Sequence, residues 1–71
     1  MKKKLIISGM TCMHCVMHVQ NALKNVKGVV DAKADLNAKN AIIEFNGNVD
    51  DMQLKAAVAD AGYEVTGIEN M

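Results

Sequence analysis

Cys12 and Cys15 stand in a Cys-x-x-Cys spacing and are the only two cysteines in the chain. A small domain stapled by disulfides would carry four or more, spread along its length. An adjacent pair points to chemistry instead. Two thiolates three residues apart, on a loop that enters a helix, can converge on one ion. The N–H groups at the start of that helix favour the charged thiolate, most of all at Cys15. Thiolates are soft ligands and select Cu(I), Zn(II) or similar ions over Mg(II) or Ca(II). A lone pair suits a low-coordinate ion such as Cu(I). A structural zinc site wants four protein ligands, and this chain has two Cys and two His in all.

Other uses of the spacing fit less well. Attachment of a c-type haem needs His directly after the second cysteine, and Val16 stands there. A thiol oxidoreductase of the thioredoxin kind is the more serious rival. Its fold is larger and its active-site loop depends on proline, which this chain lacks altogether. An inert thiol pair is the remaining alternative. His14 lies between the cysteines, and His18 follows it four residues later on the same helical face. Each is a candidate third ligand or proton-sensitive group, set against the default of a solvent-facing histidine. Met17 and Met52 suit helix surfaces or core edges and carry no expected metal role.

The pair needs a frame to hold it. Residues 3–8 predict a strand, with Leu5 and Ile7 on one face and Ile6 on the other; Gly9 breaks it. Residues 15–26 predict a helix whose Val16, Val19, Leu23 and Val26 form an apolar stripe. Residues 25–28 stop it, with Gly28 as a left-handed cap. Residues 29–36 alternate, Ala32, Ala34 and Leu36 against Asp31, Lys33 and Asp35. A polar turn at 37–40 leads into 41–45, where Ala41, Ile43 and Phe45 oppose Ile42 and Glu44. These two runs read as a hairpin. After a turn at 46–48, Asp50 or Asp51 caps a helix over 51–61 with Leu54, Ala57, Val58 and Ala61 inward. Gly62 ends it, and residues 63–68 form a last strand around Val65.

The order β-α-β-β-α-β matches the α+β, ferredoxin-like arrangement: a four-stranded antiparallel sheet with two helices on one face. Strict alternation puts Ile6, Ile42 and Ile68 on the other face. A contiguous isoleucine stripe there would be a surface for self-association or docking.

A length of 71 residues allows one domain, spanning 1–71, and a small core, since a chain this short buries only about 60% of its unfolded surface. With 51% hydrophobic residues and a net charge of +0, the composition excludes intrinsic disorder. The charge balance argues against a general nucleic-acid binder. Phe45 and Tyr63 are the only aromatics, so there is no base-stacking platform. No apolar run approaches the roughly 18 residues of a membrane span, and none is expected to insert in one. Met1-Lys2-Lys3-Lys4 imitates the basic start of an export signal, but the apolar stretch Leu5-Ile6-Ile7 falls short of the about 7–15 residues such a signal uses. The expected location is the cytoplasm.

The segment Gly9-Met10-Thr11-Cys12-Met13-His14-Cys15-Val16 resembles the metal-binding loop of the heavy-metal-associated domain family. Within that family it looks most like the bacterial copper chaperones. The resemblance runs on through the Val16/Val19 stripe, Gly28-Val29, the strand from Ile43 to Phe45, and Ala61-Gly62-Tyr63. It implies a carrier rather than an enzyme. Cys12 and Cys15 would bind Cu(I) and pass it, by exchange of thiolate ligands, to a copper-transporting P-type ATPase or another copper acceptor. The same pair is open to Zn(II), Hg(II) or Ag(I) in vitro. Two alternatives share the site: a metal-binding regulatory domain of such an ATPase, and a detoxification protein for Hg(II) or another soft ion.

The resemblance also assigns roles around the thiols. Met10 anchors the loop by burial beneath it. Thr11 stands where zinc-handling relatives often place an acid, and so favours Cu(I). Tyr63 covers the site and tunes thiolate charge. Met13 offers a soft apolar surface to a docking partner, and His14 is available at a partner or dimer interface. A monomer is expected without metal, with a metal-linked dimer as the alternative assembly.

Overall fold

Alternating and helical apolar patterns resolve into six elements. They are β1 (Lys2–Ser8), α1 (Met13–Lys24), β2 (Val29–Asp35), β3 (Asn40–Phe45), α2 (Asp51–Asp60) and β4 (Glu64–Asn70). They come from a computed structural model that describes residues 1–71. The strands form one sheet in the order β2-β3-β1-β4, and every neighbouring pair is antiparallel. This is the ferredoxin-like arrangement expected from the sequence. β1 therefore lies inside the sheet, and the loop that leaves it toward α1 starts from the middle of the fold.

The core lies between the sheet and the two helices. Leu5 and Ile7 from β1 and Ile43 from β3 meet Val16, Val19 and Leu23 from α1, and Leu54 and Val58 from α2, in one buried cluster. Leu5, Leu23, Ile43 and Leu54 are each 0% exposed. Burial of a side chain of this size contributes about 1.5–3 kcal/mol, so a few such residues dominate the stability of so small a chain. Ala57, Ala61 and Val26, expected inside, are only half-buried. Ala57 and Val26 line an open groove between the helices instead. Leu36 lies just past the end of β2 and is half-buried against the core.

The helix ends show what local chemistry decides. Asp50 caps α2: its carboxylate accepts the Met52 N–H at 2.9 Å. α1 begins at Met13 rather than at residue 15, because Cys12 takes the extended N-cap conformation (φ −154°, ψ 172°). The Cys12 carbonyl accepts the Val16 N–H at 3.2 Å, closing the first helical turn. The helix stops at Lys24, two residues before the expected end. Gly28 then turns the chain with φ +96°, and a Cβ placed on it would stand 2.9 Å from Cγ2 of buried Val49.

The isoleucine stripe does not form. Ile6 and Ile42 do lie on the open face, half-buried. Ile68 pairs with Leu5 and packs against the core. The cause is a β-bulge. Between Ile6↔Gly67 and Ile7↔Val65 one residue of β4, Thr66, has no partner. Its hydroxyl donates to the Ile6 carbonyl at 3.4 Å. An extra residue resets the alternation, so Val65 and Ile68 both point inward while Gly67 takes the outer place beside Ile6. β4 also runs to Asn70, past the expected end at 68, because β1 offers partners down to Lys3. A second bulge lies at Val30 in β2. Both edge strands are thus interrupted, which discourages edge-to-edge pairing.

No helix is long and apolar enough to cross a membrane.

Candidate metal centre

The chain leaves β1 at Ser8 and reverses at Gly9, whose φ of +100° is a conformation that suits glycine. A Cβ on Gly9 would come within 3.4 Å of Cδ1 of Tyr63. That is an ordinary contact, so the tyrosine ring, which follows α2, rests against the start of the loop, and it is the backbone conformation that calls for glycine. Met10 comes next and is 5% exposed, part of the core cluster. Its side chain pins the loop from below while Thr11, Cys12, Met13 and His14 remain exposed above it.

Cys12 is exposed at the N-cap of α1, and Cys15 is half-buried in the first turn; both are free thiols. Their sulfurs are 3.3 Å apart. With metal–sulfur bonds of about 2.3 Å, two sulfurs can share one ion at a bent angle, and linear coordination needs them about 4.6 Å apart. The exposed Cys12 side chain has open space in which to make that change. No group of three or more His, Cys, Asp or Glu side chains that could hold a metal exists in the chain. His14 and His18 are both exposed on α1, and neither joins the thiols in such a group.

Electrostatics favour a charged sulfur at Cys15. Its thiol falls from the ordinary value of 9.0 to about 6. The largest cause is the Tyr63 hydroxyl, followed by the Thr11 backbone N–H and then the Cys12 thiol, against a smaller opposing effect of burial. Tyr63 responds in the opposite sense. Its hydroxyl is pushed up to about 12, chiefly by the neighbouring Cys15 sulfur, then by burial and by the charge of the two cysteines. It thus stays a donor throughout the physiological range. The Thr11 hydroxyl lies 3.9 Å from the Cys15 sulfur.

The structure brings Met10, Thr11, Cys12, Cys15 and Tyr63 together. It leaves Met13 (63% exposed) and Met17 (54% exposed) facing solvent. Two contributors went unread in the sequence. One is Gly9 as the seat for the Tyr63 ring; its place at the end of a strand marked only a break. The other is the Thr11 backbone. For the Cys15 thiolate the sequence offers both the helix start and, through the family resemblance, Tyr63; the Tyr63 hydroxyl is the first cause of its lowered value. Neither of the two surface hollows is lined by a residue of this loop. The pair is an open surface feature and does not line an enclosed cavity.

Comparison with known proteins gives a consistent context. Residues 4–64 match the heavy-metal-associated domain. The chain is 46% identical over 59 residues to Copper-transporting ATPase 1 of Rhizobium meliloti, a match that covers 83% of this chain and 7% of that protein. It is 36% identical over 64 residues to Copper chaperone CopZ of Staphylococcus haemolyticus, covering 89% of this chain and 94% of the relative. Among solved structures, one titled CopZ metallochaperone superimposes with a TM-score of 0.86 at 33% identity, over 93% of this chain and 100% of the other. The chain thus spans nearly the whole length of one relative and a small part of the other.

Proposed function

The chain belongs to the heavy-metal-associated domain family, and from that we propose that it is a Cu(I) carrier which gives up its ion to an acceptor by ligand exchange. The observation that carries this is the thiol pair itself: two sulfurs 3.3 Å apart on an exposed loop, with no third His, Cys, Asp or Glu beside them. Such a donor set is soft and low in number. It satisfies Cu(I) and leaves Zn(II) short of its usual four ligands.

Cys12 and Cys15 are the two ligands. Met10 holds the loop from the core side, and Thr11 and Tyr63 steady the Cys15 sulfur. Binding displaces whatever thiol protons remain, so affinity rises with pH. An acceptor thiolate approaches from the open side, where Cys12, Met13 and His14 are exposed, and a third sulfur joins the ion. One of the original sulfurs then leaves as thiolate. Cys15 is the better leaving group, because the Tyr63 hydroxyl and the Thr11 N–H hold its charge. No electron moves and no bond to carbon changes. The protein is a carrier and not an enzyme, and the reducing cytoplasm is where both sulfurs stay available.

The acceptor is a copper-transporting P-type ATPase or another protein with its own thiol pair. A second assignment, that the chain is itself a metal-binding segment of such an ATPase, is favoured by its 46% identity to part of one. Both use the same site. A transfer experiment tests the proposal. Cu(I)-loaded protein is mixed with an isolated Cys-x-x-Cys domain of a copper ATPase, in the presence of a coloured Cu(I) chelator. Copper found on the acceptor after separation, without colour, supports direct exchange. Copper that reaches the acceptor only through the chelator, or not at all, rejects it.

A further inference from the structure

The solvent face of α1 carries a second set of metal-binding groups that the thiol site leaves unused. His14 and His18 are one helical turn apart, and both are exposed. The opposite face of the same helix is fixed in the core through Val16, Val19 and Leu23. Side chains at i and i+4 have Cβ atoms about 5–6 Å apart, a separation at which two imidazole nitrogens can reach one ion at about 2.0–2.1 Å. Two histidines at this spacing on one helix face are the recurrent chelating unit of helical zinc sites.

We propose that His14 and His18 form a chelating pair for a borderline divalent cation such as Zn(II), separate from the thiol pair. Imidazole suits such ions, whereas thiolates favour soft ones. No Cys, Asp or Glu joins the histidines in a group of three. Water, or a donor from a partner, therefore fills the other positions, and the site is open and exchangeable. The rigid helix supplies the preorganisation, since the backbone between the two rings is already set by α1. One helix start would then sort two classes of metal: a soft ion at Cys12 and Cys15, and a harder one on the face that carries His14 and His18. The imidazole pair does not depend on the identity of the ion at the sulfurs.

The test uses the full chain in two forms. In one, the sulfurs are occupied by one Ag(I) per chain; in the other, both are removed by Cys12→Ser and Cys15→Ser. Each is titrated with Zn(II) while the ring signals of the two histidines are followed by NMR. Both rings are expected to shift together and to saturate at one Zn(II) per chain in both forms. His18→Ala should weaken the response of His14 by at least about 10-fold, the low end of what even an indirect ligand partner contributes at a metal site, and His14→Ala should do the same to His18. Both substitutions lie on an exposed helix face, and circular dichroism of each variant serves as the check that the helix persists. Rings that respond independently of one another, or a Zn(II) response that disappears with the sulfurs, would overturn the proposal. The serine form keeps the test valid even if the thiols fail to hold a soft ion.

Discussion

The Tyr63 hydroxyl and the Cys15 thiol shift each other in opposite directions: Cys15 falls to about 6 and Tyr63 rises to about 12. Each group is the largest cause of the other's change. The two come from separate parts of the chain, the first turn of α1 and the turn before β4. A thiolate held this way is charged at neutral pH and ready to meet a soft cation without first losing its proton.

Tyr63→Phe removes the donor and leaves the ring on Gly9. The Cys15 thiol should move back up toward its ordinary value. Iodoacetamide labelling of the metal-free protein measures this directly, since only the thiolate reacts. The labelling rate of Cys15 should rise through a midpoint of about 6 in the native chain and at a higher pH in the variant. An unchanged midpoint would remove Tyr63 from its tuning role.

The same shift makes stability depend on pH. Cys15 has a folded value of about 6 against an ordinary 9.0, so its charged form is favoured by folding. Its contribution is fully present above pH 9.0 and fades as pH falls, until it is gone below about 6. The reduced protein should therefore need more urea to unfold at the top of that window than at the bottom. Cys15→Ser should flatten this component of the slope. A slope that survives the substitution intact places its origin elsewhere.

Gly28→Ala tests the turn after α1. The position combines φ of +96° with a Cβ contact of 2.9 Å to Val49. Backbone strain of this kind costs about 1–3 kcal/mol, and Val49, 7% exposed, has little room to yield. Urea denaturation should show a loss in that range or above it, with copper stoichiometry unchanged in the folded fraction.

Asp50→Ala tests the cap of α2. Loss of the acceptor for the Met52 N–H should cost about 1 kcal/mol. The effect should appear in the unfolding midpoint and leave the thiol labelling profile where it was, because Asp50 lies at the end of α2 remote from Tyr63.

Much of this was legible in the sequence, for identifiable reasons. Cys12 and Cys15 stand out as the proposed soft-metal site because residue type and spacing bear directly on what such a pair can bind. The helix and strand patterns give the element order because Val16, Val19 and Leu23, or Ala41, Ile43 and Phe45, repeat at the period of their element. The contacts that tune the site were harder to read. Tyr63, which only the family resemblance assigns to the site, reaches Cys15 through the closed fold, and no local pattern states that contact. Ile68 was misplaced because alternation holds only while the ladder is regular. The signal was present in Gly67, since a glycine inside a strand marks a bulge. The start of α1 was misread because the apolar stripe begins at Val16, whereas the cap is set by the backbone of Cys12.

The central claim is that Cys12 and Cys15 together bind one Cu(I). An anaerobic competition titration against a coloured Cu(I) chelator tests it most directly, with Zn(II) run in parallel and the Cys12→Ser, Cys15→Ser chain as control. The expected result is one Cu(I) per chain, withdrawn from the chelator by the reduced protein, lost in the control and little affected by Zn(II). Copper binding that survives the loss of both thiols, or that Zn(II) readily displaces, would contradict the account.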